Sequence, residues 1–306
     1  MTVQPSSGIL LVLAALGLLG AATWAVLRRL RPRQGGLTGR TALQRGTSYA
    51  GLALVLAIAA NAGLSGIAVL IEILGAIALL EWSHLTDLPW HHRIALQVAN
   101  LVIVATVAAF GTQAVEWLIG GIVLAGIAWP VVKADTGRAI RDLGAAAVGT
   151  VVISILLVHG VLLVVQRGEL GINVFTALAV ACAGSDVGAF IVGRRFGRHP
   201  LAPTLSPGKT REGLVGNVLG AAVGLAPFVP LLRPDFEPQA LVVIVFLVAI
   251  GSVWGDLLES AIKRETGVKD AARWLPGFGG ILDRIDSLLL VVPLVYWAMR
   301  LADVFR

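Results

Sequence analysis

The sequence predicts an all-α protein, a polytopic integral membrane bundle of about ten transmembrane helices with its N-terminus outside. Three observations carry that reading. Of the 306 residues, 57% are hydrophobic and only 14% charged, and mean hydropathy is +0.86; soluble domains carry roughly 25% charged residues. The apolar residues fall into runs of about 15 to 22, the length a helix needs to cross the hydrocarbon layer. The basic residues gather in alternate loops.

The first run, at 8–27, carries no charge and has no Lys or Arg before it. It reads as a retained helix, because a cleaved signal has a basic lead and a shorter core. Arg28, Arg29, Arg31 and Arg33 read as a stop signal that orients this helix, with recruitment of anionic headgroups as the other role open to them. Residues 1–45 thus read as a first helix and an Arg-rich tether.

Runs at 47–62 and 66–82 are parted only by Asn61-Ala-Gly-Leu-Ser65, a turn-forming cluster that also allows one bent span. Runs at 95–111 and 115–131 follow. His84, His91 and His92 share a short loop with Trp90 and read as interfacial anchors, since Asp87 alone lies at ligand spacing. The later runs lie at 145–165, 171–193, 213–232, 240–262 and 285–302. Gly216, Gly220 and Gly224 repeat every fourth position, a face for close helix packing within the subunit or across a homodimer.

With the N-terminus outside, the loops at 28–45, 83–94, 132–144, 194–212 and 263–284 face the cytoplasm and hold 20 of the 24 basic residues. That bias sets the orientation. It also explains the net charge of +6 through topology and contact with anionic lipid, so no nucleic acid partner is expected. The single Cys182 excludes an internal disulfide and a cysteine metal cluster, and it reads as a small apolar helix residue.

The acids locate the chemistry, because a carboxylate within a bilayer is costly unless paired or bound to a cation. Asp186, Asp256 and Glu259 lie about seven, six and three residues before the cytoplasmic ends of their runs. That places them about 5–10 Å below the surface. Asp283 and Asp286 begin the last run from the same side. Asp256 and Glu259 are three apart, as are Asp283 and Asp286, so each pair shares a helix face. Two such pairs facing each other make an all-oxygen site suited to Mg²⁺. Structural ion pairs with Lys263, Arg264 and Arg284 are the competing reading, with Glu259 and Lys263 at i, i+4 foremost.

Between these helices, Lys263, Arg264, Lys269 and Arg273 precede Pro276-Gly-Phe-Gly-Gly280. Gly279 and Gly280, just ahead of a helix start, would leave backbone amides for an anion. A second basic loop contains Gly208-Lys209-Thr210. A P-loop is rejected there, because its earlier glycine would fall at Pro203 and no strand is predicted before it. Lys209 and Arg211 can still hold phosphate, and Ser206 is expected to cap the next helix. Together the two loops and the acids look like a metal and polyphosphate site.

The stretch Ser260-x-Ile-Lys-Arg-x4-Lys-Asp-x-Ala-x2-Leu-Pro-x-Phe-Gly-Gly-Ile-x-Asp-Arg-Ile-Asp286 resembles the signature of the CDP-diacylglycerol synthases, the phosphatidate cytidylyltransferases. Ser185-Asp-x-Gly-Ala-Phe-x2-Gly-Arg-x-Phe-Gly-Arg-His-x-Leu-x-Pro-x2-Ser-Pro-x-Lys-Thr-x-Glu-Gly213 is similar to a second region of that family, and Glu81-Trp82 to an early landmark. The likeness runs from about residue 46 to the C-terminus, and it departs from the pattern at Phe278, where the family has His.

The resemblance implies transfer of the cytidylyl group from CTP to phosphatidic acid in a bilayer, with the catalytic half at about 171–306. It points to a bacterial cytoplasmic membrane with the site facing the cytoplasm. Asp256 and Asp283 would be the metal ligands for Mg²⁺ and a possible second cation, with Asp186, Asp270 and Asp286 around them. Lys263, Arg264, Lys269, Arg284 and Lys209 would hold phosphates. Ser206, Thr210, Glu212, Gly279 and Gly280 would bind substrate. The alternatives are a related transferase acting on another lipid phosphate or a polyprenol, and an ion-coupled transporter, whose acids would sit nearer the midplane.

Overall fold

The structure, a computed structural model, describes residues 51–113, 117–118, 120–121, 139–232, 234–265 and 280–304. The expected span at 8–27, nearly all of that at 115–131, the tether at 28–45, and Lys269, Asp270, Phe278 and Gly279 lie outside the described residues. Among those described, seven helices are long and apolar enough to cross a membrane. The chain is an all-α integral membrane bundle.

A short helix α1 (Gly51–Asn61) leads into α2 (Gly63–Leu85), followed by α3 (Trp90–Phe110), α4 (Ile140–Arg167) and α5 (Glu169–Phe196). Then come α6 (Arg211–Leu232), α7 (Pro238–Glu265) and α8 (Leu282–Val304). The 47–82 region is two helices and not one bent span. The Asn61 amide turns back to donate to the Ala57 carbonyl at 2.7 Å, and Gly63 takes φ +69°, a conformation that breaks the helical path and suits glycine.

Outward-facing Ile58, Val69, Leu101, Val215 and Phe246 are each more than half exposed, as a lipid-facing surface requires. The interior is filled by Ile71, Leu79, Leu163, Phe175, Leu178 and Val248, none more than 1% exposed. Polar side chains inside the spans find each other. The buried Asn100 of α3 donates to Glu72 of α2 at 2.8 Å, a pair that keeps an intramembrane carboxylate hydrogen-bonded.

The Trp82 indole lies against Gly149 and donates to the Ala145 carbonyl at 2.9 Å. Directly after this contact α4 widens into a π-helical stretch at Thr150–Ile155.

The expected small-residue face is used within the subunit. Along α5 and α6, Gly184 and Gly188 meet Gly216 and Gly220 backbone to backbone; a Cβ on Gly220 would fall 2.1 Å from the Gly184 carbonyl oxygen. Such contact is what small residues at every fourth position allow. A two-stranded antiparallel hairpin, β1 (Pro200–Ala202) and β2 (Ser206–Thr210), joins these helices.

One end of the bundle collects the end of α2, the end of α5, the hairpin, the start of α6, the end of α7 and the start of α8. At the other end Arg167 of α4 pairs with Asp303 of α8, and Gln166 donates to the Tyr296 hydroxyl at 2.9 Å. Helices α5 and α7 run three residues past their expected ends at 193 and 262. Arg194, Arg195, Lys263 and Arg264 are favourably placed in those last turns against the negative helix end.

Candidate active site

The site is built on the antiparallel contact between α7 and α8. Because Asp256 and Glu259 share one face and Asp283 and Asp286 share another, the helices bring their carboxyls together in two successive rungs. Asp286 lies in hydrogen-bonding contact with Asp256, and Glu259 with Asp283. Two carboxyls this close require a proton or a cation between or beside them.

Cations stand beside both rungs. Lys209, at the end of the hairpin, reaches Asp256 at 2.5 Å, and the Ser287 hydroxyl donates to the other oxygen of Asp256 at 3.3 Å. Lys263 sits 2.6 Å from Glu259 and 2.6 Å from Asp283, so one ammonium clamps the second rung. The i, i+4 pair expected from sequence is therefore present, but shared with the facing helix.

The start of α8 is held by a residue from the other half of the chain. Glu81, only 1% exposed, accepts the backbone N–H of Ile281 and of Leu282, each at 2.8 Å. The amide of Gly280 donates to Asp283 Oδ2 at 3.1 Å. The helix N-terminus is thus filled by the protein's own carboxylates. The Gly280 amide, expected to serve a substrate anion, here donates to a side chain of its own helix, as orphan donors at a helix start commonly do.

A cavity of about 440 Å³ opens beside the rungs, lined by Asp186 and Arg194 of α5, Lys209 and Thr210 of the hairpin, Asn217 of α6 and Asp256 of α7. Asp186 lies within electrostatic reach of Asp256, Arg284 and Lys209. Below it, buried Ser185 and Asn217 both donate to the Ser252 hydroxyl, at 3.1 and 3.3 Å, tying α5, α6 and α7 together under the site.

The remaining expected residues are dispersed. Thr210, and not Ser206, caps α6: its side chain accepts the Gly213 amide at 3.1 Å, because Ser206 is drawn into β2 opposite Ala202. Glu212 turns away from the cavity to accept the amides of Arg198 and His199 at 3.1 and 3.3 Å, with His199 Nδ1 at 2.6 Å. Neither Ser206 nor Glu212 lines the cavity. Arg264 donates to the Leu205 carbonyl at 3.4 Å, joining the end of α7 to the hairpin turn. Arg284 of α8 lines a separate, largely apolar pocket and lies within electrostatic reach of Asp186.

Ser287, Asn217, Ser185 and Ser252 were not expected in the site, and Glu81 was noted only as a landmark. The signal available for all of them was the same: a polar residue inside an apolar run, which needs a partner.

The donors on the rungs are carboxylate oxygens, the ligands a hard divalent cation takes. Among the described residues no three acidic or histidine groups converge on one point. An ion at the rungs would therefore complete its shell with water and phosphate oxygens, the usual arrangement for Mg²⁺.

The cytidylyltransferase family pattern matches residues 43–302. The chain belongs to that family. It is 40% identical over 136 residues to Uncharacterized protein YnbB of Escherichia coli, a match covering 44% of each chain. It is 44% identical over 113 residues to a phosphatidate cytidylyltransferase of Staphylococcus saprophyticus, covering 36% of this chain and 43% of the relative. A phosphatidate cytidylyltransferase of Haemophilus influenzae is 43% identical over 113 residues, covering 36% of this chain and 39% of the relative. These matches span less than half the length of the curated relatives.

Proposed function

We propose that this cytidylyltransferase-family protein transfers the cytidylyl group of CTP to phosphatidate, giving CDP-diacylglycerol and pyrophosphate, on the cytoplasmic side of a bacterial inner membrane. The observation that carries the reading is the double carboxyl contact of Asp256 with Asp286 and Glu259 with Asp283, beside Lys209 and Lys263. The phosphatidate cytidylyltransferases among its relatives supply the substrate class.

In this reaction an oxygen of the lipid phosphate attacks the α-phosphorus of CTP. The bond from that phosphorus to the bridging oxygen breaks, and its electron pair leaves with pyrophosphate. The attacking oxygen is already ionised, so no Ser, Cys or His has to be activated. What the reaction needs is relief from repulsion between two polyanions and a place for the leaving charge.

Asp256 and Asp283 would hold Mg²⁺, with Asp186 and Asp286 around it. Bound there, Mg²⁺ would supply charge neutralisation of the nucleotide phosphates and the departing pyrophosphate. Lys209 and Lys263, which rest on those carboxylates, are placed to pass to phosphate oxygens as the acids take up a cation. Arg264 and Arg284 add charge at the two edges. Lys269, Asp270 and Gly279 are assigned to the same site on the family pattern alone.

The test is an assay of the purified protein in lipid nanodiscs with Mg²⁺, phosphatidate and CTP labelled at the α-phosphate. Labelled CDP-diacylglycerol and equimolar pyrophosphate are expected, both lost in Asp283→Asn. Labelled lipid formed from a polyprenyl phosphate but not from phosphatidate would overturn the substrate assignment.

A further inference from the structure

The polar layer beneath the site leaves one acceptor open among the described residues, and that acceptor borders the cavity. Asn217 of α6 lines the cavity, is only 4% exposed, and donates from Nδ2 to the Ser252 hydroxyl at 3.3 Å. Its Oδ1 accepts from no group among the described residues. A buried carbonyl oxygen without a donor is destabilising, so one found in a folded protein calls for a partner.

The surrounding bonds fix which end of the amide is free. The Ser252 hydroxyl gives its single hydrogen to the Val248 carbonyl at 2.6 Å, and the Ser185 oxygen stands 3.1 Å from it. Toward α6, Ser252 can therefore only accept. Turning the amide over would set Oδ1 against an oxygen with no hydrogen left to give. Asn217 thus presents a fixed acceptor on the arm turned away from Ser252, and whatever meets it must be a donor.

The cavity suits a flat ring. Phe190 of α5, Leu214 of α6 and Val253 of α7 give it apolar sides, and the Arg194 guanidinium lies 5.8 Å from the centre of the Phe190 ring. Along α6, Asn217 is seven residues from Thr210, the neighbour of Lys209. That is about 10 Å of helix. A cation suited to phosphate and an acceptor among apolar neighbours thus stand in separate parts of one cavity. Where uracil carries a carbonyl, cytosine carries an amine, which is a donor.

We propose that Asn217 reads the base of the nucleotide: its Oδ1 accepts from the 4-amino group of cytosine, and Ser252 enforces the choice by holding the amide one way round. The inference rests on the proposed function and adds to it the residue that selects CTP over UTP. Ser252 is a positioning residue, since it acts through Asn217. Uracil would bring an acceptor to an acceptor, leaving both without the donors they had in water.

The test is equilibrium binding to the full-length protein in nanodiscs, with Mg²⁺ and no phosphatidate, where labelled CTP is displaced by CTP, UTP or 2′-deoxy-CTP. The natural protein is expected to favour CTP over UTP by about tenfold or more, and to hold 2′-deoxy-CTP nearly as well as CTP. Asn217→Leu keeps the volume and removes the acceptor, so the CTP to UTP ratio should fall close to one. Ser252→Ala frees the amide to turn and offer Nδ2, so UTP should gain while CTP changes little. UTP binding at or above the natural level shows that both variants are folded. An unchanged ratio in Asn217→Leu would overturn the assignment, and so would an equal loss of both nucleotides, which a purely structural role gives. A preference lost between CTP and 2′-deoxy-CTP, with CTP over UTP retained, would move the contact to the ribose and overturn it as well. A natural protein that binds CTP selectively but does not turn over phosphatidate would remove the proposed function and leave the base contact standing.

Discussion

Glu81 accepts the backbone N–H of Leu282 at 2.8 Å, a contact between the end of α2 and the start of α8. Since its other oxygen accepts from the Ile281 amide, this one carboxylate satisfies two amide donors at the helix turn that carries Asp283. Glu81→Ala orphans two buried amides at roughly 1–3 kcal/mol each. A marked fall in thermal stability in detergent is expected, and a smaller one for Glu81→Gln, whose amide keeps one acceptor. Equal stability of all three proteins would show that the contact does not hold α8.

Gly280 packs so tightly on the same carboxylate that an added Cβ would stand 2.4 Å from Glu81 Oε2. Gly280→Ala should therefore destabilise the protein, and by less when Glu81 is already Ala. A double-mutant cycle of melting temperatures measures this coupling, expected at about 0.5–3 kcal/mol for touching residues. Additive effects would contradict it.

Lys263 is the ammonium shared by Glu259 and Asp283. Lys263→Met leaves two facing carboxyls without their cation, and breaking a largely buried pair of this kind costs about 3–5 kcal/mol. Adding Glu259→Gln should return part of that stability by removing one charge. Activity should stay low in both variants, because the cation proposed to meet phosphate is gone.

Lys209 bridges the hairpin to Asp256, and it is the only hairpin side chain paired with a rung among the described residues. Lys209→Ala is expected to lower kcat by about 10²-fold, typical for loss of one fixed charge at a reacting phosphate, with the melting temperature nearly unchanged. Raised Mg²⁺ should not restore the rate. A loss of stability equal to that of Lys263→Met would reassign Lys209 to a structural role.

Much of this was legible before the structure. Seven spans were readable because an apolar run of sufficient length has few other fates. The rungs were readable because a spacing of three places Asp256 with Glu259, and Asp283 with Asp286, on common faces. The helix ends were not, since Arg194, Arg195 and the stretch Lys263 to Glu265 are charged yet remain helical. The part played by Glu81 was hidden for a different reason. Its partners lie 200 residues away, and a carboxylate capping a foreign helix leaves no local pattern. The glycines at 279 and 280 suggested an anion cradle; Gly279 lies outside the described residues, and the Gly280 amide donates to Asp283. Ser206 was read as the cap of α6, but strand pairing draws it into β2 and leaves the cap to Thr210.

The glycine seam of α5 and α6 sets a measure for the whole site. Where backbone meets backbone there are no side chains to repack, so neither helix can slip along the other without driving main-chain atoms together. Asp186 stands on one of these rails and Lys209 on the hairpin that closes them, so the gap between acid and base is gauged by the main chain itself. Any adjustment of the site falls to the α7 and α8 side, which faces that fixed edge as a vice jaw faces its anvil.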